Sequence, residues 1–244
     1  MDYEKDFEEG RIKTSLGSLY YRHHKGGGER LVLLHGFGAS TRSFARLVGF
    51  LDEKLDVYLV DLLGHGKSDA PEITYTVKAQ ADALWEMFEA ISVSDFFLFG
   101  NSYGGWIAAY YATQYPVKGL ILEDAAGLKE SFDRIVADGK VQEYKDRLMK
   151  SAMMMEGNHE TVLRSILDSE FREFELTKER FGDITEPTLI LWGEKDQTLP
   201  PEIGRLMSER IRNSVFYIIG GGGHTLHYTN PKEVAGQIEA FVDR

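Results

Sequence analysis

The chain of 244 residues predicts an α/β protein: a mostly parallel central β-sheet flanked by helices on both faces, with one helical insertion. Three observations carry this. Short apolar runs alternate along the chain with stretches whose apolar residues recur at helical spacing, the rhythm of strand–helix–strand units. Many of these runs end in a glycine-containing loop, so the loops gather along the sheet's C-terminal edge. Between residues 127 and 183 the rhythm stops, and a densely charged stretch with no strand-like run takes its place.

In chain order, residues 11–14 and 19–23 read as a hairpin about the turn Ser15-Leu16-Gly17-Ser18. His23 and His24 fall at the end of an edge strand, where solvation is expected. Residues 31–34 form a buried strand that runs straight into His35-Gly36-Phe37-Gly38. A dinucleotide fingerprint would need a third glycine at position 41, which is Thr41. The alternative is that these glycines let backbone N–H groups, that of Phe37 above all, approach a reacting oxygen. His35 is then a buried, hydrogen-bonded residue that orients the loop.

Phe44, Leu47, Val48 and Leu51 predict an amphipathic helix, and residues 57–60 the next buried strand. The loop Asp61-Leu62-Leu63-Gly64-His65-Gly66-Lys67-Ser68 imitates the tail of a phosphate-binding loop, but Asp61 stands where that motif needs glycine. A tight turn in which Asp61 and His65 bind backbone fits better. Residues 75–91 read as a helix with Leu84, Met87, Phe88 and Ile91 on one face. The apolar run Phe96-Phe97-Leu98-Phe99 then ends in Gly100-Asn101-Ser102-Tyr103-Gly104-Gly105, with a helix over 106–115 beyond it. A strand that turns at once into a helix crowds its backbone, which glycines two positions either side of Ser102 tolerate. Ser102 would stand at the tip of that turn.

Residues 117–122 form a further strand. Within 127–183, Leu148, Met153-Met154-Met155, Val162, Leu163, Ile166 and Leu167 supply apolar faces for two or three short helices lying over the sheet's C-terminal edge. The methionine run either lines an adaptable pocket or packs the insertion onto the core. His159 within it is expected to be exposed. The rhythm resumes with a strand over 187–192 and the loop Gly193-Glu194-Lys195-Asp196. A helix over 202–211, a strand over 215–219, the loop Gly220-Gly221-Gly222-Gly223-His224 and a helix over 231–242 complete the chain. The division is a core of 1–126 and 184–244 with a cap of 127–183.

Bulk properties narrow the partners. A net charge of −11 repels nucleic acid and anionic membrane surfaces. The absence of cysteine removes disulfides, thiolate metal sites and thiol nucleophiles. No apolar run approaches the roughly 18 residues of a membrane span. The acidic start lacks the apolar core of a signal peptide, so a cytoplasmic location is expected.

Ser102, Asp196 and His224 each follow a predicted strand, so a parallel sheet opens all three loops on one edge. Their order is the one expected when a serine sits on a strand-to-helix elbow. His35-Gly36-Phe37-Gly38, Asp61-x-x-Gly64-His65-Gly66-x-Ser68, the elbow, Trp192-Gly193-Glu194-Lys195-Asp196 and Gly223-His224 with Asn230-Pro231 together make the chain resemble an α/β-hydrolase over essentially its whole length. That resemblance implies Ser102 as nucleophile, His224 as general base and acid, Asp196 as the orienting acid, and the N–H groups of Phe37 and Tyr103 as oxyanion hole. It implies no metal and no cofactor. Asp124, after the preceding strand, is the rival for the acid, and His227 is expected on a pocket wall or in solvent.

A serine at the elbow excludes the dehalogenase and epoxide hydrolase branches, which use aspartate there. Proline iminopeptidases carry a different elbow and a larger cap. The first reading is a carboxylesterase acting on small-molecule esters of short or medium acyl chains. The second is a hydrolase of carbon–carbon bonds in ring-fission products, some of which carry Gly-Asn-Ser at this point, as Gly100-Asn101-Ser102 does here. A non-catalytic binding protein on the same fold is the third.

Overall fold

Successive residues of a strand point to opposite faces, and here that alternation splits the core in two. Val32, Leu34, Leu98, Leu122 and Trp192 join one apolar cluster. Leu31, Leu33, Phe97, Phe99, Ile121 and Leu191 join a second on the other side of the sheet. The computed structural model describes residues 1–155, 158–177 and 180–243. Its strands are β1 (Glu8–Lys13), β2 (Ser18–His24), β3 (Arg30–Leu34), β4 (Asp56–Asp61), β5 (Phe97–Asn101), β6 (Gly119–Glu123), β7 (Thr188–Gly193) and β8 (Ser214–Ile219), in the spatial order β1-β2-β4-β3-β5-β6-β7-β8. β1 and β2 pair antiparallel with each other and β2 antiparallel with β4, and every later pairing is parallel. Central parallel strands are apolar on both faces because both are covered.

The covering helices divide as the strand residues do. α1 (Ala45–Val48) and α9 (Pro231–Val242) contribute Leu47, Val48, Val234 and Ile238 to the second cluster. α2 (Val77–Ala90), α3 (Tyr103–Ala112) and α7 (Pro201–Arg210) contribute Leu84, Met87, Ile107 and Met207 to the first. Thr76 starts α2 by accepting the Ala79 N–H at 2.9 Å, a side-chain cap on an otherwise orphaned donor. All of α3 except Tyr110 is buried. Among the described residues three α-helices lie between β6 and β7: α4 (Lys129–Ala137), α5 (Val141–Ala152) and α6 (Glu160–Thr177). Phe132 of α4 packs on Trp106, which explains why α3 is apolar on the side away from the sheet as well. The short α8 (Leu226–Thr229) follows the last loop.

Several expectations need correction. The helix expected over Phe44–Leu51 is a 3-10 turn, Thr41–Phe44, followed by the single turn α1. Gly49 ends it, and Phe44, Leu47, Val48 and Leu51 are buried all the same. The elbow helix begins at Tyr103, three residues earlier than expected, taking Gly104 and Gly105 into its first turn. β2 is not an edge strand, because β1 pairs outside it. His23 accordingly hydrogen-bonds Asp56 at 2.7 Å and stacks on Tyr58, and His24 reaches the carbonyls of Asp6 and Glu53. Met153, Met154 and Met155 do not pack the insertion onto the core, being 45%, 82% and 56% exposed in the turn after α5. Leu163, Ile166 and Leu167 do the burying instead. Residues 156, 157, 178 and 179 of the inserted segment lie outside the described residues. Among the described residues no helix is long and apolar enough to cross a membrane.

Candidate active site

β5 ends at Asn101 and α3 begins at Tyr103, leaving Ser102 alone to make the turn. Its φ of 51° is left-handed, a region that L-residues avoid unless the surroundings force it. The surroundings do. Its N–H donates to the Glu123 carbonyl at 3.0 Å, and its own carbonyl accepts from Ala126 at 2.9 Å and Trp106 at 3.1 Å. A Cβ on Gly100 would lie 2.3 Å from the Gly104 carbonyl oxygen, and one on Gly104 2.5 Å from that of His35. The glycines flanking Ser102 are therefore needed so that strand, turn and helix can touch.

His224 and Asp196 meet Ser102 from two further loops. Asp196 is 5% exposed. Its Oδ1 accepts the N–H groups of Thr198 at 2.7 Å and Leu199 at 2.9 Å, which turns Oδ2 toward His224. His224 Nδ1 donates to that oxygen at 2.7 Å. With its proton on Nδ1, the ring presents Nε2 as an acceptor, and the Ser102 hydroxyl donates to it at 2.9 Å. The loops carrying the acid and the imidazole are held together by backbone bonds from Glu194 to Ile219 and from Lys195 to Gly222. This arrangement can withdraw a proton from a serine hydroxyl and stabilise the imidazolium that results.

The loop after β3 passes directly against the elbow. A Cβ on Gly36 would stand 3.3 Å from Ser102 Cβ, so the chain entering Phe37 runs beside Ser102. Tyr103 occupies the first helical position, where N–H groups have no acceptor within the helix. His35 is fully buried, donates from Nδ1 to the Gly36 carbonyl at 2.8 Å, and accepts the Leu62 N–H on Nε2 at 3.1 Å. Those two bonds need a neutral ring, and burial pulls its pKa down to about 4. Asp61 accepts N–H groups from Thr41 and Lys67 at 2.6 and 2.8 Å. Burial lowers the His65 pKa to about 3, and its Nδ1 donates to the Leu63 carbonyl.

Asp124 lies close to Asp196 and His224 without bonding either. One oxygen accepts the Gly193 N–H at 2.8 Å. Burial, then the neighbouring carboxylates of Glu123 and Asp196, raise its pKa well above the usual carboxylate range. Asp124, Asp196 and His224 each offer one ligand atom within 4.8 Å of the others, the one such grouping among the described residues. Both nitrogens of His224 are already committed to Asp196 and Ser102, so the group reads as a hydrogen-bonded cluster rather than as metal ligands. His159 is exposed. His227 is neither on a pocket wall nor in solvent: it is 2% exposed and donates from Nδ1 to Glu123 at 2.6 Å. Sequence reasoning missed Glu123 and met Asn101 only as part of Gly100-Asn101-Ser102, with no role of its own. The signal was there, since an apolar strand ending in Glu123-Asp124 buries two acids that must find partners.

The inserted helices reach this site through Asn158, whose amide donates to the carbonyls of Gly38 at 2.7 Å and Ala152 at 2.9 Å. The open cleft of about 180 Å³ between α4, α5 and the segment after Asp196 lies beside the acid's loop and is lined by Ile135, Tyr144, Arg147, Thr198, Leu199 and Ile203 among others. Ser102 does not line it.

Known proteins with this architecture match over the full length. The chain is 29% identical to lipase 3 of a Moraxella species, over all of this chain and 88% of that protein. It is also 29% identical to lipase 1 of Psychrobacter immobilis, over 99% and 87%. A crystal structure of a protein from Acinetobacter baumannii superposes with a TM-score of 0.82 at 22% identity, covering 97% of this chain and 91% of that one. The model of the alpha/beta hydrolase family matches residues 31–237. The chain belongs to the alpha/beta hydrolase family.

Proposed function

We propose that this protein is a serine hydrolase of carboxylic esters with short to medium acyl chains, working through an acyl-enzyme. The observation that carries the reading is the relay from Ser102 Oγ to His224 Nε2 at 2.9 Å and from His224 Nδ1 to Asp196 at 2.7 Å, mounted on a strained elbow. Two lipases at 29% identity support the ester bond as the target. Ser102 attacks the acyl carbon as His224 takes its proton, and the carbonyl oxygen becomes an oxyanion held by the N–H groups of Phe37 and Tyr103. His224 gives the proton to the departing alcohol. Water, deprotonated by the same imidazole, then attacks the acyl-enzyme, and Ser102 regains its proton as the acid leaves. Asp196 keeps the imidazole in the tautomer that makes both transfers possible. Residues 127–183 form the cap over this edge.

A fluorophosphonate probe tests the mechanism. Wild-type protein should be labelled at Ser102 and the Ser102→Ala variant should not, and a folded wild-type sample that resists the probe would remove the enzymatic reading. Substrate class is tested with p-nitrophenyl esters of graded chain length beside a ring-fission diketone. Turnover of the diketone several orders faster than the best ester would transfer the chemistry to carbon–carbon cleavage.

A further inference from the structure

We infer that Glu123 and Asn101 are positioning residues for the catalytic base, clamping the loop that carries His224 to the nucleophile elbow. The inference rests on the serine hydrolase reading above and gives that site a part it has not been assigned. Glu123 ends β6, beside Asn101 at the end of β5, and its side chain is wholly buried. Asn101 and His227 are each 2% exposed. A buried carboxylate needs partners on both oxygens, and Glu123 has donors on each. Oε1 accepts from Asn101 Nδ2 at 2.9 Å and from His227 Nδ1 at 2.6 Å, and Oε2 accepts the His227 backbone N–H at 2.9 Å. The same Asn101 amide donates to the His224 carbonyl at 3.3 Å. One carboxylate thus grips the residue next to Ser102 and the chain three residues after His224, and through Asn101 it reaches the His224 backbone itself.

The acceptors fix the amide's orientation. Asn101 Nδ2 faces only carboxylate and carbonyl oxygens, so its nitrogen and not its oxygen must point there. They also make Glu123→Gln a sharp probe. Three donors converge on two oxygens, and the substitution turns one oxygen into a donor of its own. If that NH₂ replaces Oε2, it meets the His227 backbone N–H. If it replaces Oε1, the imidazole can change tautomer to accept it, but Asn101 must then turn its oxygen toward the new amide and lose its bond to the His224 carbonyl. Each arrangement releases one of the two holds on the His224 loop. A shift of about 1 Å in a catalytic group can cost on the order of 10²-fold in rate.

The test compares Glu123→Gln, Asn101→Ala and their double variant by ester turnover per active site and by the rate of fluorophosphonate labelling. Sites are counted by the label at completion, so unfolded protein does not enter. We expect each single variant to lose about 10–100-fold in both kcat and labelling rate, with KM within about threefold. The double variant should be no worse than the poorer single, because both changes release the same loop. If kcat and labelling rate per site equal the wild type while Tm falls, the network is only structural and the inference is overturned. Asn101→Ala removes no charge and decides the matter alone if Glu123→Gln does not fold. A wild type that is never labelled removes the hydrolase reading and this inference with it, whereas a labelled wild type with variants labelled at the same rate removes this inference alone.

Discussion

Two imidazole–carboxylate pairs stand three residues apart at the same sheet edge, and their hydrogen bonds are nearly identical. His224 donates to Asp196 at 2.7 Å and His227 to Glu123 at 2.6 Å. What differs is the other side of each ring. The His224 side chain is 20% exposed and turns Nε2 to a serine hydroxyl in left-handed backbone. His227 is sealed against Phe44 and Phe99, with ring centroids 4.8 and 6.5 Å away. An imidazole with a carboxylate behind it is a catalytic base only where something reactive lies in front. The same pair turned into the core is a fastener.

The largest effects should separate the pairs most cleanly. Ser102→Ala and His224→Ala should each lower kcat by about 10⁶-fold, the usual cost of losing a nucleophile or its base. His227→Gln keeps a side-chain donor for Glu123 and should retain most activity per labelled site. Burst-titrated ester kinetics measure both, and a His227→Gln variant as dead as His224→Ala would erase the distinction. The acids follow. Asp196→Asn leaves the ring in the wrong tautomer and should cost about 10⁴-fold. Asp124 bonds Gly193 rather than the imidazole, so Asp124→Asn should stay within a few-fold of wild type. The opposite pattern would move the acid to the end of β6.

The parallel order of the sheet and the motifs around Ser102 could be read from the chain because they are local. A strand's apolar run, an elbow's glycines and a loop's His-Gly pair each declare themselves within a few residues. Glu123 and His227 do not, since their partnership depends on β6 lying beside β5 and on α8 folding back under the last loop, and neither is written in any one stretch. His23 shows the same limit, because only the pairing of β2 with β4 brings Asp56 to it. The methionine run fails to pack the core for another reason. Helical spacing marks residues able to share a face, but nothing in 153–155 says that the helix has already ended at Ala152.

Imidazoles that hydrogen-bond backbone and no carboxylate extend the comparison to stability. His35 and His65 are fully buried and kept neutral, with pKa values drawn down to about 4 and about 3 by burial. As the pH falls below about 6.5, the unfolded chain takes up protons on these rings while the folded protein cannot. The stability they allow is therefore complete above pH 6.5 and is lost as the pH drops toward 4, by about 3 kcal/mol for His35 alone. Urea unfolding at intervals from pH 7 to pH 4 measures the slope. In His35→Asn it should be shallower than in wild type, whatever the absolute stability of the variant, and parallel curves would show that His35 is not the group responsible.

A modest predicted loss asks how far the inserted helices reach into the two pairs. Asn158 donates to the Gly38 carbonyl on the loop beside Ser102, and to the end of α5, so it ties the inserted segment to the loop proposed to hold the oxyanion. Removing a hydrogen bond of this kind costs about 1 kcal/mol, so Asn158→Ala should lower kcat/KM by about fivefold. The loss belongs to the side of the site that His224 faces. His227 is packed between Phe44 and Phe99 and bonds Glu123, whereas Asn158 bonds Gly38 and Ala152, so the two share no hydrogen-bond partner. Asn158→Ala and His227→Gln should therefore be additive in both kcat/KM and Tm, as sites with no shared partner are. A coupling energy above about 0.5 kcal/mol would mean that the structural pair and the inserted helices sense each other through the elbow, and that the core beneath Ser102 is less insulated than its packing implies.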